Sequence, residues 1–254
     1  MKKTIICFLS FLIIGCNPKS DNEQAINNNY LFFQAPELKP FSKPIKKQIL
    51  SGSINQEFTI NQQGFITSVV SPEIKPTFNQ SSDKEFPVKI DIDYQKSLMI
   101  FSQQDQFLLE FYIKFDNDKN MTEIHEAKLP IAWYANYDEQ KRLIKLTKKT
   151  DPNLITFVST FLYDQNNLKK IIEETTIKEN DETKLMSKNE VEYFYNNNHQ
   201  IDKKIIYLDD YITKNNQKLE CQFYDFNQFG DWTKYYCLKP NENFSFFVLR
   251  EIEY

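Results

Sequence analysis

Thr156-Phe157-Val158-Ser159-Thr160-Phe161-Leu162-Tyr163, followed at once by Asp164-Gln165-Asn166-Asn167-Leu168, decides the fold. In an extended chain Phe157, Phe161 and Tyr163 fall on one face and Val158, Thr160 and Leu162 on the other, a period of two that marks a strand. The Asp-Gln-Asn-Asn run then supplies a turn, because Asn and Asp accept left-handed φ more readily than other non-glycine residues. The closing segment has the same form, with Phe244, Phe246, Val248, Ile252 and Tyr254 opposite Phe247, Leu249, Glu251 and Glu253. Similar turn signals fall at Asp116 to Asn120, Asp138 to Lys141, Asp151 to Asn153, Asn180 to Glu182, Asn196 to His199, Asn215 to Asn216, Asn227 to Asp231 and Asn241 to Asn243. No long helical period separates the strands, so they join by hairpins and the sheet is antiparallel. The expectation is an all-β domain over 51–254, an antiparallel meander of repeated hairpins forming a curved sheet or open barrel.

Composition agrees. Of 254 residues 15% are aromatic, with 22 Phe and 14 Tyr, and such side chains favour half-buried pleated surfaces. Glycine is scarce: Gly15, Gly52, Gly64 and Gly230 are the four. No two can share a phosphate-binding loop, which excludes dinucleotide-fingerprint and Walker-loop enzymes.

Aligning the turns exposes a repeat. Phe115-Asp116-Asn117-Asp118-Lys119-Asn120-Met121 recurs as Tyr137-Asp138-Glu139-Gln140-Lys141-Arg142-Leu143, as Tyr163-Asp164-Gln165-Asn166-Asn167-Leu168, as Tyr195-Asn196-Asn197-Asn198-His199-Gln200-Ile201 and as Phe226-Asn227-Gln228-Phe229-Gly230-Asp231-Trp232. The unit is an aromatic, an Asx, a polar turn and an apolar residue, with the first and last packing as a cross-strand pair and the Asx bonding the turn backbone. The repeat turns are thus Asp116, Asp138, Asp164, Asn196 and Asn227. This pattern resembles YD repeats of the Rhs type over roughly residues 107–254, which implies hairpins winding into a sheet or shell and carries over no catalytic residue. Gly230-Asp231-Trp232-Thr233-Lys234 with the closing Arg250-Glu251-Ile252-Glu253-Tyr254 is similar to the terminal unit of related short bacterial envelope proteins. One unit keeps the glycine, and lead aromatics are 22 to 32 residues apart.

Residues 1–16, MKKTIICFLSFLIIGC, carry two lysines before an apolar run from Ile5 to Ile14 broken by Ser10. This reads as a secretory signal over 1–15, too short to span a bilayer as a mature helix. Ile13-Ile14-Gly15-Cys16 resembles the bacterial lipobox, which implies cleavage after Gly15 and lipidation of Cys16, whose acyl chains would hold the protein to the membrane at roughly 0.8 kcal/mol per buried CH₂. By the same resemblance Asn17, where an aspartate would argue for retention at the inner membrane, points to the outer membrane. Residues 16–50 then read as a polar, proline-containing tether with Tyr30-Leu31-Phe32-Phe33 as a docking cluster and Pro44 to Leu50 as a short helix opened by proline.

With Cys7 removed and Cys16 lipidated, Cys221 and Cys237 remain, and an even remainder in an oxidising compartment suggests a disulfide. Each lies eight residues from Phe229, the centre of a turn, so a hairpin would set them face to face.

Candidates for chemistry are few. Any Ser/His/Asp triad would have to use His125, since His199 sits in a repeat turn, and no glycine-flanked serine elbow accompanies it. Asp116 to Asn120 lacks the glycine and glutamate of a calcium loop, with Met121 and Ala127 at those places. Asp209-Asp210 and Glu173-Glu174 are strand neighbours that point to opposite faces. The net charge of −4 falls further when Lys2 and Lys3 leave with the signal, and no basic run suggests nucleic acid. Lys and Glu recur on both strand faces, unlike a lipid-facing barrel. The sequence thus implies a lipid-anchored, non-catalytic binding module of the cell envelope, without cofactor or metal, whose partner is a protein. An immunity or inhibitor lipoprotein neutralising an exported toxin and an envelope polymer hydrolase are the alternatives.

Overall fold

The alternating segments become strands where their period places them. The computed structural model describes residues 21–71, 87–103, 106–150, 155–180, 182–239 and 245–254. The leader 1–15, Cys16, Asn17, Phe244 and the turn signals at 151–153 and 241–243 lie outside them. The strands are β1 (Lys47–Gly52), β2 (Gln56–Ile60), β3 (Ile66–Ser71), β4 (Val88–Asp93), β5 (Leu98–Gln103), β6 (Gln106–Phe115), β7 (Met121–Glu126), β8 (Ala132–Tyr137), β9 (Leu143–Lys149), β10 (Ile155–Asp164), β11 (Asn167–Glu179), β12 (Glu182–Tyr195), β13 (Ile201–Asp210), β14 (Asn215–Phe226), β15 (Trp232–Leu238) and β16 (Ser245–Glu253). Each pairs antiparallel with the next, and β1 also pairs with β16, Lys47 opposite Glu253 and Gly52 opposite Val248. Among the described residues these sixteen strands close into a barrel, so the meander is as expected but not open. Closure removes both sheet edges, and β1, read as part of a helix, is what supplies it.

Period-two alternation divides inside from outside. Phe161, Val248 and Phe223 point into the core, while Leu162, Phe247 and Leu249 face out. The outer face is laced with cross-strand ion pairs, among them Lys47–Glu57 at 2.9 Å, Lys170–Glu190 at 2.8 Å and Lys203–Glu220 at 2.9 Å.

The repeat turns are built as the sequence suggests, and more uniformly. In the turns opened by Asp116, Asp138, Asn196 and Asn227, the Asx Oδ1 accepts the backbone N–H groups two and four residues on. The residue three on takes left-handed φ: Lys119 66°, Lys141 62°, His199 61° and Gly230 86°. Asp164 differs, because its unit is a residue shorter and closes as a two-residue turn with Gln165 at φ 53°. The flanking pairs are in register: Phe115 faces Met121, Tyr137 faces Leu143, Tyr163 faces Leu168, Tyr195 faces Ile201 and Phe226 faces Trp232. A sixth turn, Asn61 to Phe65 with Gly64 at φ 92°, has the same hydrogen bonds. Ile60 replaces the aromatic there, which hid it from the aligned pattern.

Cys221 and Cys237 are opposite each other on β14 and β15 and form a disulfide, with Cα atoms 3.9 Å apart. That is closer than the usual separation, consistent with their being directly cross-strand.

The segment before β1 departs from the tether reading. Helix α1 (Asp21–Phe32) enters the barrel, a 3₁₀ turn follows at Pro36–Leu38, and the chain winds back to β1. Tyr30, Leu31 and Phe32 do dock, being 0%, 4% and 1% exposed. Pro44 to Leu50 forms no helix. Gln48 and Leu50 alternate with outward residues, and β1 fills the gap between β2 and β16, so ladder bonds on both sides outweigh the local preference. From residue 21 onward the expected tether is a plug, and the barrel domain starts before the expected boundary at residue 51.

Candidate functional site

Helix α1 reads DNEQAINNNYLF, and its asparagines explain how so polar a segment can be buried. Asn28 Oδ1 accepts the N–H of Leu143, and its Nδ2 donates to the Lys141 carbonyl and to Asn120 Oδ1. Asn29 Oδ1 accepts the N–H of Ile66, and its Nδ2 donates to Tyr94 Oη. These strand N–H groups lie just past the repeat turns, where β-bulges leave ladder positions open. The repeat tyrosines complete the ring: Tyr137 Oη donates to Met121 O, Tyr163 Oη to Leu143 O and Tyr195 Oη to Leu168 O, each tying one hairpin to the one before.

A buried polar clamp fixes the segment after α1. Arg250, 3% exposed, donates to Gln48 Oε1 and to the Leu38 carbonyl, and lies 4.8 Å over the Trp232 ring. Burial lowers its pKa to about 10, with Asp231, Tyr30, Tyr254 and Glu37 opposing. Trp232 Nε1 donates to Glu37 O, and Glu37 Oε1 pairs with Lys204 Nζ at 2.6 Å. Burial works against the Lys204 charge, but the charge and hydrogen bond of Glu37 together with Tyr235 outweigh it and raise the pKa.

Among the described residues, cavities lie beside the plug at both ends of the barrel. One, about 350 Å³, lies at the repeat-turn end beside α1 and is of mixed polarity, with Arg142, His199 and Gln200 among its lining groups. Asn27 Oδ1, Tyr30 Oη and Glu37 Oε2, all unpartnered, belong to residues that line it, a setting suited to ordered water. The other, about 480 Å³, lies towards the opposite end of the barrel and is mostly apolar, walled by Phe32, Phe58, Val69, Val88, Trp133 and Tyr235, with Lys148, Glu37, Gln34, Gln56 and Ser71 as polar members. Lys148 points inward from β9, 4.8 Å over the Trp133 ring. Burial lowers its pKa, with Glu173 partly opposing.

The five repeat-turn residues share one end of the barrel, where they build turns. His125 stands outside, its ring 5.7 Å from Tyr112 and its Nδ1 3.7 Å from Glu123. Glu173 turns inward and accepts hydrogen bonds from Gln34 Nε2 and Ser159 Oγ, while Asp210 caps a turn at the Thr213 and Ile212 N–H groups. Among the described residues no cluster of three or more His, Cys, Asp or Glu could hold a metal. Sequence reading missed Lys148, Trp133 and the plug asparagines. The alternation of Leu146 and Lys148 was a usable signal for the first, whereas nothing local announces that Asn28 and Asn29 are buried.

No protein-family model matches the chain, and no curated protein does. Among solved structures the chain is similar to a porin-like protein from Bacteroides uniformis, with a TM-score of 0.52 at 10% identity, over 84% of this chain and 99% of that one. A porin-like protein from Bacteroides vulgatus aligns at a TM-score of 0.33 and 8% identity, over 81% and 85% of the two chains. The first likeness establishes a shared barrel fold. Polarity is a separate property: a membrane-spanning barrel turns an apolar band to lipid, whereas here the outer face sets ion pairs among exposed apolar side chains such as Leu162, Phe247 and Leu249.

Proposed function

We propose that the chain is a lipid-anchored, non-catalytic binding module of the bacterial cell envelope, held by acylated Cys16 at the outer membrane, with its lumen as the receptacle. One observation carries the reading: a closed, plugged barrel whose interior keeps a mostly apolar cavity of about 480 Å³, within the range of small-molecule sites. The lipobox-like end of the leader and the porin-like neighbour support the envelope location. Changing Cys16→Ser should abolish labelling by a palmitate analogue and release the protein from membranes. Unchanged labelling would overturn the anchor.

A second reading, an inhibitor of an exported toxin, draws on an exposed apolar strip of the outer face, where Tyr236 pairs with Phe247 beside Leu238 and Leu249. It expects a one-to-one complex with the product of an adjacent toxin gene, lost in Phe247→Asp.

A further inference from the structure

The geometry points to the 480 Å³ cavity as a binding site for a single-chain anionic amphiphile, a long-chain carboxylate whose tail lies among the apolar wall residues and whose head pairs with Lys148. This rests on reading the chain as a binding module and names the ligand class. Three features carry it. The wall is dominated by apolar surface from Phe32, Phe58, Val69, Val88 and the Trp133 ring, which suits an alkyl tail. Lys148 makes no ion pair among the described residues; its contact is with the Trp133 ring. The nearby carboxylates are engaged elsewhere: Glu37 is paired with Lys204, and Glu173, whose charge only partly offsets the burial of Lys148, accepts from Gln34 and Ser159. A cation in a mostly apolar wall whose direct contact is an aromatic face, with a carboxylate acting on it only from further off, gains from an anion brought in dry, because an ion pair in such surroundings is worth more than one in water. A neutral amphiphile would leave that cation unmatched, and a cationic one would be repelled. Burial that lowers the Lys148 pKa is the same deficit seen from the protein's side.

The chain supplies its own reporter, since both of its tryptophans, Trp133 and Trp232, line this cavity. The test titrates the purified full chain with cis-parinarate, whose polyene accepts tryptophan emission, and then competes with dodecanoate, dodecanol and dodecylammonium. The expected result is saturable one-to-one energy transfer, displaced by dodecanoate, about tenfold less effectively by dodecanol and not by dodecylammonium. Lys148→Met should weaken dodecanoate by about tenfold and leave dodecanol unchanged. Absence of transfer overturns both the site and the lumenal receptacle. Equal competition by alcohol and carboxylate in the unmodified protein overturns the head-group assignment without needing any variant to fold. Cys16 acylation is scored separately, so failure of the anchor and failure of the ligand are distinguishable.

Discussion

A repeat Asx residue does the work that glycine and local sequence do elsewhere. Asp138 accepts the N–H groups of Gln140 and Arg142 at 2.9 Å each and the Arg142 Nε at 2.7 Å. Removing those acceptors in Asp138→Ala should cost about 2 kcal/mol, read as a lower urea midpoint. Asp164→Ala should cost under about 0.5 kcal/mol, because the tighter turn there does not use its side chain as an acceptor. Burial raises the Asp138 carboxyl pKa, but the hydrogen bonds and charge of Arg142 lower it by more, so it lies below the usual range. A carboxyl depressed in the folded state adds stability above its unfolded pKa and loses it as pH falls through the folded one. The charge-dependent part should therefore be constant above about pH 5 and fade below about pH 4. Asp138→Asn separates the parts: it keeps the acceptor, as Asn196 and Asn227 do naturally, and should flatten that pH dependence. At Gly230 the demand is steric as well as torsional. With φ at 86°, an added Cβ would lie 2.5 Å from the Phe41 ring and 2.8 Å from Gln200 Nε2. Gly230→Ala should cost about 1–3 kcal/mol, measurable in the same titration.

At the scale of elements, strands and turns were legible in the sequence and the plug was not. Alternation over Thr156 to Tyr163 and over the closing strand is set by which face meets the core, and that is a local property of β10 and β16. The repeat also announced its cross-strand pairs and the Cys221–Cys237 bridge, since both follow from where a turn is centred. Helix α1 had no such signal. Its asparagines look like tether because their partners, the N–H groups of Leu143 and Ile66, are supplied by strands 115 and 37 residues away. The energetic weight falls on those bonds. Asn28→Leu fills similar space but strands a buried Leu143 N–H, a Lys141 carbonyl and an Asn120 amide, and should destabilise by about 3 kcal/mol. Protease cleavage after Lys39 should accelerate in that variant if the plug is loosened, and an unchanged urea midpoint would show that the helix is ornamental to stability. The disulfide adds at a different point: closing a loop with a sequence separation of 16 restrains the unfolded chain by about 3 kcal/mol. Reduction should lower the urea midpoint without altering the barrel's circular dichroism in water.

For the whole molecule, the question is how polarity is divided between the lumen of a closed barrel and its outer face. Closure depends on β1 pairing with β16, a contact between the two ends of the chain that no local pattern could announce, and on a plug that fills the inside of so many strands. What the lumen's contents imply about the outside follows from charge. Lys170 reaches both Glu190 and Glu192 at 2.8 and 2.7 Å, and Lys203 and Lys218 both pair with Glu220, whose pKa their hydrogen bonds and charge lower to about 2. Placed against hydrocarbon, each such charge would cost about 2–4 kcal/mol near the bilayer midplane, and the pairs recur around the wall. The outer face thus carries paired charges that favour water over lipid, and on the proposed reading attachment to a membrane would fall to the acyl chains of Cys16. A full chain carrying Cys16→Ser behind a cleavable non-lipoprotein leader should remain folded and monodisperse in detergent-free buffer, checked by light scattering together with strand-type circular dichroism. If it stays dispersed only when detergent is present, the exposed aromatics Tyr236 and Phe247 govern the surface rather than the ion pairs, and the barrel sits in the membrane instead of beside it.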